Sequence, residues 1–387
     1  MTHLPHLGNR FAFSLRIFAC AAGILATVSF SHAAEIDVQE FPICYPTKTE
    51  PYGGSTHEIT FGKSGHFWIS GQNYDEVVEM DATGKTVFHP MPSKSGPHGI
   101  EFDANNQLWL TLEFAGQIVR LSASGTIAAT YDVSLVCDSS TKPINTHPHG
   151  LGIGPDGKTV WFTGKSTGMI GKLTTDGKVK TFAIPTVGSV PIYIKAGPDG
   201  NMWFTELVGN MIGRITPSGD ITEFAIPTPN SRPIAIIPEP GGQSMWFTEE
   251  AGNKIGRIDM DGKITEFPVP MTQSNVFLAA LAFDSDNNLW VQQYVNCGVS
   301  CHSSGTEMDG APIGPDHVLK FDKGIRHAKS SSDISNVPIT YYKVPTPKTV
   351  MHRIILGPDR NIWFTELNAD KVGKVPIATS SASFARD

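Results

Sequence analysis

The chain has 387 residues, of which 40% are apolar and 17% are charged, and its formal net charge is −7. A chain of this length and composition can bury a sizeable core. The negative charge and the absence of a basic cluster argue against nucleic acid as a partner.

The N-terminal residues have the pattern of a secretory signal. Two arginines precede an apolar run over residues 18–30, and small residues follow it. We expect cleavage near Ala33 or Ala34 and a periplasmic or secreted product. No later apolar run is long enough to predict a membrane span. The sequence therefore predicts a signal peptide over residues 1–34 and a single domain over residues 35–387.

A degenerate repeat occupies the rest of the chain, and most of its copies are spaced by roughly forty residues, a period typical of propeller blades. A clear copy reads Asn-Met-Trp203-Phe-Thr-Glu, then Ile-Gly-Arg-Ile, then Ile-Thr-Glu-Phe, with turn residues between these short strands. Four antiparallel strands per copy would make one blade. The copies are marked by the tryptophans Trp68, Trp109, Trp161, Trp203, Trp246, Trp290 and Trp363.

The two ends of the predicted domain complement each other. The last copy stops after its third strand near residue 375, and residues 35–46 resemble an isolated fourth strand. Joining the two closes the ring and removes exposed sheet edges. We therefore predict an all-β fold: a seven-bladed β-propeller of four-stranded antiparallel blades, closed by an N-terminal strand that completes the last blade.

Two insertions depart from the period. One lies around residues 137–145, and a longer one comprises residues 294–316 and 323–337. Long loops on a rigid scaffold can carry function or can be passive, and both interpretations stay open.

Cleavage of the signal would leave four cysteines. An even number in an exported protein indicates disulfides, and sequence proximity favours a bond between Cys297 and Cys301. The remaining pair is Cys44 and Cys137. Because His302 follows Cys301, this segment also resembles a haem attachment site with one additional residue between the cysteines. Both interpretations of the segment stay open.

The residue just before the first strand of each copy should lie at one rim of the central opening. In four copies that are adjacent in a closed ring this residue is a histidine, namely His57, His98, His149 and His352; the other copies have Ile192, Ile234 and Ala279. His147 lies in the same loop as His149. Glu113, four residues after Trp109, should lie on the same rim. Converging imidazoles and a carboxylate can bind a divalent cation, and an unligated histidine can act as a base, so we predict a functional site here.

Other recurring polar residues are predicted to belong to the scaffold. Glutamates three residues after the tryptophan occur in several copies without a partner histidine, and strand alternation points them away from the side of Glu113. The recurring cations of the third strand should be structural partners. These residues are Glu206, Glu249 and Glu366, and Lys172, Arg214, Arg257 and Lys374. No phosphate-binding loop or nucleophile elbow occurs, so phosphoryl transfer and serine hydrolysis are poor candidates.

The motifs Trp-Phe-Thr-Glu, Ile-Gly-Arg-Ile and Ile-Thr-Glu-Phe resemble the blades of the streptogramin B lyase family, which are seven-bladed propellers. The family's catalytic blade resembles the stretch that contains His98 and Glu113. The resemblance implies that His98 is the general base, that His57 and Glu113 hold Mg²⁺, and that a cyclic depsipeptide is opened by elimination. Gly96 stands where the family has a second metal-binding glutamate. His149, with its neighbour in the same loop, could compensate, and this would favour a softer metal.

The resemblance implies a lyase with a small-molecule or cyclic peptide substrate. The predicted signal adds export, which is a difference from the family, and we expect a monomer. One alternative is a non-catalytic periplasmic propeller that binds a ligand or protein through its histidine face and the Cys297 loop. A weaker alternative is a lactone hydrolase, which would need a Ca²⁺ site of oxygen ligands where the rim offers histidines.

Overall fold

Each repeat of the sequence folds into one antiparallel sheet. The computed structural model describes residues 37–46, 54–136, 142–273, 275–295 and 314–377. These residues form seven four-stranded sheets, and in six of them the strands follow one another in chain order. The predicted seven-bladed propeller is thus confirmed.

The strands are numbered in chain order, and β1 spans Gln39–Pro42. Blade 1 contains β2 (Thr56–Phe61), β3 (Phe67–Gly71), β4 (Glu76–Met80) and β5 (Thr86–Pro90). Blade 2 contains β6 (Pro97–Phe102), β7 (Leu108–Leu112), β8 (Gln117–Leu121) and β9 (Ile127–Asp132). Blade 3 contains β10 (Pro148–Ile153), β11 (Val160–Gly164), β12 (Met169–Leu173) and β13 (Val179–Ala183). Blade 4 contains β14 (Pro191–Ala196), β15 (Met202–Glu206), β16 (Met211–Ile215) and β17 (Ile221–Ala225).

Blade 5 contains β18 (Pro233–Pro238), β19 (Ser244–Glu249), β20 (Lys254–Asp259) and β21 (Ile264–Pro268). Blade 6 contains β22 (Val276–Phe283), β23 (Leu289–Val295), β24 (His317–Phe321) and β25 (Ile339–Lys343). Blade 7 contains β26 (Met351–Leu356), β27 (Ile362–Glu366) and β28 (Lys371–Val375).

The N-terminal strand completes blade 7, as predicted. Strand β1 pairs antiparallel with β28, so that Phe41 lies opposite Val372. Glu40 accepts a hydrogen bond of 2.6 Å from Lys371 Nζ in the same pair of strands. The first strands of neighbouring blades contact each other around the whole ring, including β26 with β2. The first strands therefore surround the central channel, and the residues at their beginnings lie at one of its mouths.

The tryptophans hold the blades together. Trp203, Trp246 and Trp363 are fully buried. Each lies beneath a cation from the adjacent third strand; Arg214, for example, lies 5.4 Å from the Trp203 ring centroid. Such a contact adds electrostatic attraction to the packing of the ring. The same contact joins Lys172 to Trp161, Arg257 to Trp246 and Lys374 to Trp363. These contacts support the scaffold role predicted for the cations.

Helical structure among the described residues is confined to short 3-10 helices, at Gln72–Tyr74, Lys323–His327 and Ser331–Asn336. The last two occupy the second part of the predicted long insertion. None of the helices in the described ranges is long and apolar enough to cross a membrane. The signal segment over residues 1–34 lies outside the described residues.

Candidate functional site

Each rim histidine lies in a bulge of its first strand. In β6 the pairing with β7 shifts register between Pro97 and Ile100, and His98 lies within that shift. The same irregularity occurs in β2, β10 and β26, at His57, His149 and His352. A bulge bends the strand and changes the direction of a side chain, which is why bulges occur often beside functional sites. The repeat thus places four imidazoles alike on four adjacent blades.

Glycine after the histidine allows neighbouring blades to approach closely. A Cβ atom on Gly99 would lie 2.5 Å from the carbonyl oxygen of His149. Thr111 Oγ1 donates a hydrogen bond of 3.2 Å to that same carbonyl. The Pro-His-Gly sequence and the threonine of β7 therefore fix the spacing between blades 2 and 3.

The four histidines form one cluster, with His98 in contact with the other three. The His98 ring centroid lies 3.8 Å from that of His149, 5.0 Å from that of His57 and 5.5 Å from that of His352. His98 is the most buried, with 2% of its surface exposed. His147 is half-buried and belongs to neither of the two groups of metal-ligating atoms found among the described residues.

Backbone carbonyls determine the tautomers of three of these imidazoles. Nδ1 of His98 lies 3.3 Å from His149 O, and Nδ1 of His57 lies 2.9 Å from Ser55 O. Nδ1 of His149 lies 3.3 Å from Ile192 O. A carbonyl oxygen only accepts, so each Nδ1 carries the proton and each Nε2 has a free lone pair. These Nε2 atoms can accept a proton or bind a metal.

Burial keeps these imidazoles neutral near neutral pH. Burial and the nearby His352 lower the pKa of His57 from 6.5 to about 3. Burial, together with His149 and His57, lowers the pKa of His98 well below 6.5. Burial and the charge of Lys165 lower the pKa of His149 in the same direction. Removing a charged group from water favours its neutral form, which for histidine is the base.

Glu113 lies between two polar side chains from the neighbouring blades. Its Oε2 accepts a hydrogen bond of 2.6 Å from Gln72 Nε2, and its Oε1 lies 3.3 Å from Lys165 Nζ. Glu113 is buried, whereas 37% of the Lys165 side chain is exposed. All three residues lie four positions after the tryptophan of their own blade. Both carboxylate oxygens are therefore engaged by protein donors.

A second buried carboxylate lies beside His57. Glu58 Oε1 lies 3.2 Å from His352 Nδ1, and Oε2 lies 3.2 Å from Arg353 Nη2. Burial alone would raise the pKa of Glu58, but the charge of Arg353 and the contact with His352 outweigh it and lower that pKa to about 2. Glu58 is therefore ionised, and it holds His352 and Arg353 in place from blade 1.

Two histidines of the cluster, His149 and His352, line a cavity of about 190 Å³ with two unlike walls, here called the rim cavity, and His98 lies directly behind His149. The polar wall includes Glu58, His149, Lys165 and His352, and the apolar wall includes Ile192, Leu207, Ile234 and Ala279. Arg353 packs over the Tyr193 ring at 4.0 Å, and both residues also line a second cavity of about 340 Å³. This pair separates the two cavities. The rim cavity can accommodate a polar reacting group and an apolar substituent.

Two sets of ligating atoms lie close enough together to hold a metal ion, among the residues that the structure describes. One set is His57, His98 and His352, and the other is His98, Glu113 and His149; within each set the ligating atoms lie within 4.8 Å of one another. The resemblance implies Mg²⁺ on His57 and Glu113, and the structure places these two in different sets. Mg²⁺ prefers several oxygen ligands, and the only carboxylate in either set is already held by Gln72 and Lys165. The donor set therefore fits Mg²⁺ poorly and suits metals that prefer imidazole.

The predicted disulfides and the alternative haem attachment site stay predictions, because most of their residues lie outside the described ranges. Cys137, Cys297 and Cys301 lie outside the described residues, as does His302. Within the described part of the chain, Cys44 is an exposed free cysteine.

Several residues of the site were not identified from the sequence. Glu58 and Arg353 each follow a rim histidine, and the repeat gave no indication that they pair across blades 1 and 7. Gln72 and Lys165 did carry a signal, because they occupy the same repeat position as Glu113. A comparison of that position between adjacent blades would have predicted their contact.

Comparison with known proteins agrees with the fold and with the family resemblance. The sequence model of the virginiamycin B lyase family matches residues 36–313. Virginiamycin B lyase from Nocardia farcinica (strain IFM 10152) is 30% identical over 151 residues, which are 39% of this chain and 48% of that protein. The matched segment thus spans about half the length of this curated relative.

Two solved structures resemble this chain along nearly their whole length. A streptogramin B lyase structure has a TM-score of 0.68 at 25% identity, covering 87% of this chain and 96% of the other. A catalytically inactive variant of virginiamycin B lyase from Staphylococcus aureus, solved with quinupristin, has a TM-score of 0.68 at 29% identity, covering 88% and 99%. The chain described here belongs to the virginiamycin B lyase family.

Proposed function

We propose that this protein is a carbon–oxygen lyase that opens a cyclic ester or depsipeptide by elimination, with His98 as the general base. The observation that carries the proposal is the setting of His98: its Nδ1 lies 3.3 Å from the His149 carbonyl oxygen, a contact that assigns the proton to Nδ1 and leaves Nε2 as the basic nitrogen. A neutral imidazole in a buried site is suited to remove a proton from carbon.

The reaction needs a proton alpha to a carbonyl, with the ester oxygen on the next carbon. His98 Nε2 takes the proton, and the electron pair of the C–H bond forms a C=C bond. The bond from the adjacent carbon to the ester oxygen breaks, and the ester leaves as a carboxylate. The ring opens, no water is consumed, and His98 returns its proton to solvent.

The cavity supports a substrate with one apolar substituent. Its apolar wall comes from blades 4 to 6, where the rim position has no histidine. Burial of an apolar side chain there would hold the reacting carbon beside the histidines, and such positioning contributes strongly to rate. Quinupristin was present with the Staphylococcus aureus relative, so a streptogramin B is the first substrate to test. If the predicted signal is cleaved, the activity would be periplasmic or secreted.

The test is ring opening of a streptogramin B by wild-type protein and by His98→Ala. General-base catalysis is typically worth about 10²- to 10⁴-fold, and we expect a loss of that order. His147→Ala is the matched control, because His147 lies nearby and outside both ligand groups; it should retain activity. Retained ring opening in His98→Ala would eliminate His98 as the base.

A further inference from the structure

We propose that Lys165 provides the positive charge beside Glu113 in place of a divalent metal, and that its ammonium donates a hydrogen bond to the substrate carbonyl during elimination. This inference rests on the proposed function. It concerns a residue to which the family resemblance gives no role.

The ammonium contacts the carboxylate on which a metal at this site would depend. Lys165 Nζ is 3.3 Å from Glu113 Oε1, and Gln72 occupies the other carboxylate oxygen. Lys165 also lines the rim cavity together with His149 and His352. It therefore faces both the buried carboxylate and the space in which a substrate would bind.

The charges at this position balance without a metal. Glu113 contributes one negative charge, and the lysine ammonium contributes one positive charge, so the pair is neutral. Mg²⁺ in the same place would leave an excess positive charge beside imidazoles, which bind this hard cation weakly, and that is costly without a second carboxylate.

A glutamate at residue 96 could supply that second carboxylate only after a rearrangement. Its φ of +62° lies in the left-handed region that favours glycine, and a Cβ atom there would lie 2.4 Å from Phe114 Cδ2. The loss of a carboxylate at residue 96 and the presence of a lysine at residue 165 are therefore consistent with each other.

The chemistry assigned to Lys165 is the stabilisation of developing negative charge. When His98 removes the alpha proton, charge moves onto the adjacent carbonyl oxygen. An ammonium has three N–H donors, so Lys165 can bind this oxygen while it keeps its contact with Glu113. Its proton is not transferred, and the negative charge passes to the departing carboxylate when the C–O bond breaks.

Mg²⁺ binding tests this inference without any substrate. Isothermal titration of wild-type protein with Mg²⁺ alone should show no binding at Glu113. In Lys165→Glu, a second carboxylate beside Glu113 should make Mg²⁺ binding measurable, at an affinity about tenfold or more above the weakest that the titration detects, because hard cations select paired carboxylates. Adding Glu113→Gln to Lys165→Glu should remove the gain.

Lys178→Glu is the matched control for the change in charge, because Lys178 is exposed and pairs with Asp176 on the surface. It should gain no Mg²⁺ affinity. Tight Mg²⁺ binding by wild-type protein that Glu113→Gln abolishes would overturn the inference, as would Lys165→Glu with an unchanged affinity. Thermal melts of each variant check that it is folded.

Turnover of a streptogramin B provides the second readout. Wild-type activity should survive EDTA, and Lys165→Met should lower kcat more than it changes KM, because the contact strengthens only as charge develops. Loss of wild-type activity in EDTA with recovery in Mg²⁺ would overturn the inference. If neither the wild-type protein nor its variants turn over any substrate, the proposed function fails. The Mg²⁺ titrations need no substrate, so they still decide whether Lys165 stands in place of a metal.

Discussion

Gln72 Nε2 donates a hydrogen bond of 2.6 Å to Glu113 Oε2, which joins the same repeat position of two adjacent blades. Because Glu113 is buried, loss of this donor would leave one carboxylate oxygen without a partner. Gln72→Leu should therefore lower the free energy of unfolding by about 1–3 kcal/mol, as measured by urea denaturation. Gln117→Leu, at a half-buried site on β8, is the control and should cost less. Equal losses of unfolding free energy in the two variants would show that this hydrogen bond makes no specific contribution to stability.

The buried histidines should make the protein sensitive to acid. The pKa of His57 is lowered from 6.5 to about 3 in the folded state, so the unfolded chain binds more protons between these values. Stability is therefore lost as the pH falls below 6.5, by up to about 1.4 kcal/mol per pH unit for each such group. His57→Gln should show a shallower loss between about pH 7 and about pH 5 in urea denaturation. His327→Gln, at an exposed site, is the control for the substitution itself. A His57→Gln profile parallel to that of the wild type would refute the assignment.

Three buried glutamates should have the opposite pH dependence. Burial raises the pKa of Glu206, Glu249 and Glu366 from 4.5 to about 8, and the charge of a neighbouring glutamate adds to the effect. The folded state then holds a proton that the unfolded state has lost, so stability falls as the pH rises from 4.5 to about 8. In blade 6 the same position is Gln293, an uncharged amide that donates to Pro270 O and accepts from Thr272.

The Gln293 side chain suggests the variant to make. Glu249→Gln should raise the free energy of unfolding at about pH 8 and flatten its decline above pH 4.5, because the amide needs no proton. Asp261→Asn, in an exposed turn, should leave the profile unchanged. If Glu249→Gln lowers stability at every pH, the carboxyl is not protonated in the folded protein.

Zinc should inhibit the activity through His57, His98 and His352. Their ligating atoms lie within 4.8 Å of one another, and Zn²⁺ is commonly held by three imidazoles. A metal there would occupy the Nε2 lone pair of the proposed base. Micromolar Zn²⁺ should therefore inhibit wild-type protein reversibly, and His352→Ala should weaken that inhibition. His147→Ala should be inhibited like the wild type, and zinc inhibition unaffected by His352→Ala would place the inhibitory site elsewhere.

The fold could be predicted from the sequence because every blade repeats the same packing. The tryptophan period and the glycine-rich turns predicted the blades, and the unpaired segment before Cys44 predicted how the ring closes. The rim histidines were also predictable, since a repeat position has the same location in every blade. Their placement in bulges, which directs the rings towards one another, depends on local register and could not be read from residue types.

The electrostatics of the site were less predictable. Glu58 contacts His352 and Arg353 from the other end of the domain sequence, and only closure of the ring brings them together. The role of Glu113 was predicted from the sequence of blade 2 alone. Its contacts, however, are with Gln72 of blade 1 and Lys165 of blade 3. Family resemblance suggested a metal at Glu113, and the structure shows an ammonium beside it.

The mass of the reaction product tests the central claim most directly. Wild-type protein should convert a streptogramin B to a ring-opened product of unchanged mass that contains a new C=C bond, and His98→Ala should form far less of it. Mass spectrometry together with ultraviolet absorbance measures both features. A ring-opened product heavier by one water would show hydrolysis and would contradict the lyase assignment.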